Sequence, residues 1–167
     1  MAELTTQERL QPSLLDRLTD EEPQQGQESR NRRVLSLQRL RESVLRDLAW
    51  LLNTTNLGDR TLEYEAPFVE SSVLNYGVPD FAGLTSSSVD GGQLQRLVKQ
   101  AIWNFEPRIL RETLEVNISA DGGRMDQNSL IFEISGELWA QPVPLELFLK
   151  TQVDLETGSI SIADFVR

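Results

Sequence analysis

The chain has 167 residues, about one domain's worth of length, and contains neither Cys nor His. Against 26 Asp plus Glu it carries 16 Lys plus Arg, a formal net charge of -10. These counts exclude a disulfide framework, a Cys/His zinc site and any Ser-His-Asp or Cys-His catalytic apparatus within the chain, and so acidic a balance argues against nucleic acid as a partner.

The first 18 residues place Leu10, Leu14, Leu15 and Leu18 on one face of a short helix, with Pro12 suited to its first turn. From Thr19 to Arg33 there is no aliphatic or aromatic residue. Such a stretch has nothing to bury against its ordering entropy and reads as a flexible linker. The sequence therefore divides into an N-terminal arm, 1–33, and a folded domain, 34–167. Two readings of the arm stand side by side. Its leucine face docks on the chain's own core, or it inserts Leu14, Leu15 and Leu18 into a partner's groove.

Val34, Leu37, Leu40, Val44, Leu48, Leu51 and Leu52 recur at steps of three and four, which predicts an amphipathic helix over 34–53. Asn53-Thr54-Thr55-Asn56 and Gly58 stop it. An irregular region rich in Gly, Pro, Ser and Asp follows, with one helical turn over 70–77 closed by Gly77. Val78-Pro79-Asp80 reads as extended chain. A second helix starts at the cap Asp90 and shows a stripe of Leu94, Leu97, Val98, Ala101, Ile102 and Phe105. Pro107 ends it.

Beyond Pro107 the period becomes two. Leu114, Val116 and Ile118 mark one strand, and Leu130, Phe132, Ile134 and Leu138 a second. Leu145, Leu147, Leu149 and Val153 mark a third, and Ile160 with Ile162 a fourth after the turn Glu156-Thr157-Gly158. The expected fold is α+β: an antiparallel meander of about four strands packed against two main helices, with a flexible N-terminal arm. A meander leaves sheet edges to which a partner strand can add, and the segments expected to offer one are Leu145–Asp154 or Ser159–Val166.

Candidate chemistry is sparse. Two carboxylates suffice for glycoside hydrolysis, but among 26 acids some pair meets the spacing by chance. The loop Asp121–Asn128 lacks the calcium register and reads as a hairpin loop. Gly91-Gly92 is followed by no Gly-Lys-Ser/Thr, so a phosphate loop is not supported. No catalytic, cofactor-binding or metal-binding residue is assigned, and no cofactor is expected. No apolar run approaches the roughly 20 residues needed to span a bilayer. The acidic, polar start shows no signal pattern, so the chain reads as cytoplasmic, without membrane insertion. Phe105-Glu106-Pro107-Arg108 carries more information. Pro fixes the backbone between an acid and a guanidinium, giving a rigid charged corner. That corner clamps a partner, or it is a local ion pair shaping the helix–strand turn.

The Glu-Pro-Arg corner closing a helix ahead of Leu114-Glu115-Val116 resembles the phage baseplate-wedge, lysozyme-like family. Within it the chain is similar to the TssE subunits of bacterial type VI secretion baseplates. Five further stretches match in order: Pro12 to Leu18, Leu51 to Thr54, Ser72 to Phe81, Phe132 to Leu138 and Val153 to Gly158. Thr55 departs from the pattern, where the family often has Arg. The resemblance implies a non-enzymatic subunit that joins the baseplate to the contractile sheath and templates its first ring. The partners it implies are TssF, TssG and TssK in the baseplate and TssB and TssC in the sheath. It also implies that Glu106, Pro107 and Arg108 form an intersubunit contact. The alternative that its lysozyme label raises is a carboxylate-based peptidoglycan glycosidase. No residue independently supports that catalysis.

Overall fold

The structure, a computed structural model, describes residues 13–19, 37–58, 68–69, 71–82, 90–119, 129–140 and 144–164. The elements run α1 (Leu14–Leu18), α2 (Leu37–Leu52), a 3-10 turn (Val73–Asn75), α3 (Gly91–Phe105), β1 (Glu115–Ser119), β2 (Ser129–Leu138), β3 (Leu145–Asp154) and β4 (Ile160–Asp164). All four strands are antiparallel in the order β1-β2-β3-β4, so the α+β meander with two main helices is as expected. Residues 20–36, which hold most of the linker, and the 121–128 loop lie outside the described residues.

The register puts every second strand residue on one face. Val116 faces Ile134 and Ile134 faces Leu149; Phe132 faces Thr151; Leu130 faces Val153, which faces Ile160. Most of these are buried, together with Leu138 and Leu147. Leu40, Val44, Leu48, Leu51 and Leu52 of α2 and Leu94, Val98, Ala101 and Ile102 of α3 complete the same core. Apolar period three-to-four and apolar period two thus meet in one layer. Thr151 is polar and buried there, and its hydroxyl donates to the Phe132 carbonyl oxygen at 3.2 Å. The other sheet face carries Glu115, Asn117, Glu133, Ser135, Phe148 and Lys150.

The helix ends follow their local chemistry. Asp90 caps α3 by accepting from Gly92 N at 3.0 Å and Gln93 N at 3.3 Å, so its own carboxylate occupies those donors. The helix closes at Phe105, two residues before Pro107. Leu97 was expected in its apolar stripe but lies on the exposed margin, because the sheet covers only the arc centred on Val98 and Ile102. After α2, Asn53 turns the chain. Gly77 adopts φ +123°, where a Cβ would collide with the Thr54 carbonyl oxygen. That close approach lets Val78 N donate to Thr54 O and Asn56 N donate to Val78 O, at 2.9 Å each. The predicted turn over 70–77 is therefore present, shortened to a 3-10 turn.

The expectation that Leu145–Asp154 forms an edge is corrected. β3 is interior, paired along its length with β2 and over Leu149–Val153 with β4. β4 is the edge at that side of the sheet, and Asn53 blunts it. Asp154 and Ser159 bond toward each other, so the Ile160 amide points outward. Asn53 takes both of its groups, accepting from Ile160 N and donating to Ile160 O at 2.9 Å each.

Candidate functional site

The corner Glu106-Pro107-Arg108 sits where α3 hands over to the sheet. It is fixed by backbone bonds from Leu110 N to Glu137 O at 2.8 Å and from Trp139 N to Arg108 O at 2.7 Å. Gly136 lies under this approach with little room to spare. A Cβ there would stand 3.2 Å from Ile109 Cγ2.

Glu106 is only 4% exposed, whereas Pro107 is exposed and the Arg108 side chain is 22% exposed. Arg108 Nε donates to Glu106 Oε1 at 2.7 Å and Nη2 to Oε2 at 2.6 Å, a two-pronged pair within the corner. The same guanidinium reaches across to α2. Nη2 donates to Asp47 Oδ2 at 2.6 Å and Nη1 to Ser43 Oγ at 3.1 Å. Burial works against the Arg108 charge, but bonds and charge from Glu106, then from Asp47, outweigh it and raise its pKa above the ordinary range. Tyr76 lies against this cluster, edge-on to Phe105 with centroids 5.2 Å apart. Burial first, then the charges of Asp47 and Glu106, raise the pKa of its phenol.

The cluster continues outward along α2. Arg46 Nε donates to Asp47 Oδ1 at 2.9 Å and Arg46 Nη1 to Asp16 Oδ1 at 2.6 Å. Signs alternate through Glu106, Arg108, Asp47, Arg46 and Asp16, ending in α1. The two groups read from the sequence as partner-binding, the Glu-Pro-Arg corner and the arm leucines, are thus joined by one run of ion pairs. Ser13 caps the arm helix. Its Oγ accepts from Asp16 N at 3.3 Å and donates to Asp16 Oδ2 at 2.6 Å.

Leu14, Leu15 and Leu18 are 71%, 42% and 73% exposed. The arm helix meets α2 through its acid, and Leu14 and Leu18 are not packed in the core. The charged corner, for its part, spends much of its capacity internally. The sequence reading missed Ser43, Arg46, Asp47 and Asp16 as members of this site. A Ser one turn before Asp47, beside the apolar stripe of α2, was the available signal. Nothing in the sequence pairs Arg46 with a residue 30 positions away.

Among the described residues no group of His, Cys, Asp and Glu could hold a metal ion, and no helix is long and apolar enough to cross a membrane. A search of curated proteins and a search of solved structures each returned no match. The profile of the family described as baseplate wedge protein gp25 matches residues 38–143, more than half of the chain. That span holds Ser43, Asp47, Glu106 and Arg108, the inner part of the ion-pair run. The match gives the chain a structural role in a phage-tail-like baseplate, with baseplate proteins as its neighbours, and the chain belongs to the family of baseplate wedge protein gp25.

Proposed function

We propose that the chain is a non-enzymatic subunit of a type VI secretion baseplate, working in the cytoplasm. In this reading it joins the wedge to the contractile sheath and templates the first sheath ring. Its baseplate partners are TssF, TssG and TssK, and its sheath partners TssB and TssC. The observation that carries the reading is the fixed Glu106-Pro107-Arg108 corner inside a span that matches the wedge family. Glu106, Asp47 and Ser43 engage all three guanidinium nitrogens and hold Arg108 in place, leaving the exposed Pro107 and the exposed fifth of the Arg108 side chain as the surface a partner meets. Charge-assisted bonds to a partner's carboxylate or carbonyl groups would give that contact its geometry. An assembly role also asks for no nucleophile, metal or cofactor. The buried carboxylate among the described residues, Glu106, has both oxygens engaged by Arg108, which leaves it ill placed to act as a general acid.

The test is co-purification of the tagged protein with TssF, TssG, TssK, TssB and TssC. Arg108→Ala is compared with wild type at a temperature where both are folded by circular dichroism. Loss of partners from a folded variant is the expected result. A variant that loses only thermal stability and binds normally refutes the corner as a contact. In parallel, sustained peptidoglycan release by the pure protein, lost on one Asp or Glu substitution, would refute the non-enzymatic reading.

A further inference from the structure

The arm helix α1 meets α2 by its polar side and not by its leucines. In a helix, residues two apart lie about 200° apart, so Asp16 points away from both Leu14 and Leu18. The contact made to α2 goes through Asp16, whose Oδ1 accepts from Arg46 Nη1 at 2.6 Å, with side chains 16% and 34% exposed. Gripping the helix by Asp16 therefore turns Leu14 and Leu18 outward. The Arg46 guanidinium also lies 5.2 Å from the ring centroid of Trp50, one helical turn further along α2. Trp50 is itself half exposed. The grip and the ring thus share the Arg46 guanidinium on α2, on the side of the arm helix that Asp16 faces.

The geometry points to Asp16 and Arg46 as positioning residues. They clamp the arm helix by its polar side, so that Leu14, Leu15 and Leu18 form a preorganised apolar surface for a baseplate neighbour. This rests on the baseplate-partner reading above and adds which side of the arm is offered and what holds it. The occupant is an apolar groove with a neutral or basic rim on that neighbour. A second copy of this chain is disfavoured, because each copy carries a net charge of -10. Holding the arm in place lowers the ordering cost of binding. Without the clamp only the fraction of arms in the right orientation binds, and the apparent affinity falls by that fraction.

The cysteine-free chain permits a direct test. Spin labels on Thr19→Cys and Gln38→Cys, both exposed positions, report the arm-to-α2 distance. The clean background should give one narrow distance. Asp16→Asn and Arg46→Gln should each broaden it, and Asp16→Glu should recover it. Binding to immobilised TssF, TssG and TssK, assayed singly, should weaken about fivefold in Asp16→Asn and return in Asp16→Glu. Leu14→Ala with Leu18→Ala should lose binding while the distance stays narrow. A broad distance in the clean background, or one that Asp16→Asn leaves unchanged, overturns the clamp. Sedimentation showing self-association that Leu14→Ala abolishes overturns the occupant. If the clamp behaves as stated but none of the three proteins binds, the partner reading fails and the occupant with it. If they bind while the arm is unclamped, only the present inference fails.

Discussion

Arg108→Ala is the perturbation that weighs the ion-pair run most directly. It removes four side-chain bonds: two to Glu106, one to Asp47 and one to Ser43. The losses are unequal. Asp47 keeps Arg46 at 2.9 Å, and Ser43 keeps its bond to Leu40 O at 2.9 Å. Glu106, at 4% exposed, is left with the Arg108 backbone N–H at 3.2 Å as its remaining donor. Removing one partner of a buried pair costs about 3–5 kcal/mol, and the partial exposure of Arg108 lets water relieve some of it, which places the cost at about 3 kcal/mol. With a urea slope of about 2 kcal/mol/M, the unfolding midpoint drops by about 1.5 M, read by tryptophan fluorescence and circular dichroism. Adding Glu106→Gln replaces the stranded charge with a neutral amide and should recover about 1–2 kcal/mol, so the double variant is more stable than Arg108→Ala alone. A loss below about 1 kcal/mol, the scale of a surface bridge, would refute the buried-pair reasoning. So would a double variant less stable than the single one.

Gly77→Ala combines a left-handed φ of +123° with a clash against the Thr54 carbonyl, so it should cost at least about 2 kcal/mol by urea titration. Asn53→Ala strands the outward Ile160 amide, and a loss of about 1–2 kcal/mol with faster amide exchange at Ile160 is expected. Asp154 accepts from Glu156 N at 2.8 Å and Thr157 N at 3.2 Å, and those backbone donors hold its carboxyl below the ordinary aspartate pKa. A depressed folded pKa means that the carboxylate's contribution to the β3–β4 turn is present above the ordinary aspartate range. It is lost as pH falls through the folded value. Amide exchange at Glu156 and Thr157 should rise over that acid window in the wild type and lose this pH dependence in Asp154→Asn.

Much of this molecule was legible from local pattern. Leu40, Val44, Leu48 and Leu51 marked α2, and Leu94, Val98 and Ile102 marked α3. Val116, Phe132, Ile134 and Leu149 marked strands, because backbone period and burial are both local properties that repeat along the chain. Asp90, Pro107, Gly77 and Gly158 punctuated those elements through constraints that each residue carries with it. Which strand lay inside the sheet was not available in that way. β3 and β4 have similar alternation, and only the pairing order made β3 interior and gave the Ile160 amide to Asn53.

The site divides along the same line. Glu106, Pro107 and Arg108 stood out as a rigid charged corner because Pro fixes its neighbours' backbone. The arm leucines stood out by spacing. Their relation to one another came only with the tertiary structure. Asp47 and Arg108 are 61 positions apart and Arg46 and Asp16 are 30 apart, and a charge carries no label for its partner at such separations. The sequence by itself determined a cysteine-free, acidic α+β chain with no imidazole chemistry and with wedge-family motifs in order. The tertiary structure decided that the charged corner faces inward to α2, and that the arm helix is held by its acid with its leucines turned out. A helix only a few residues long settles against whichever neighbour its side chains can reach, and here the contact it makes to α2 is an ion pair.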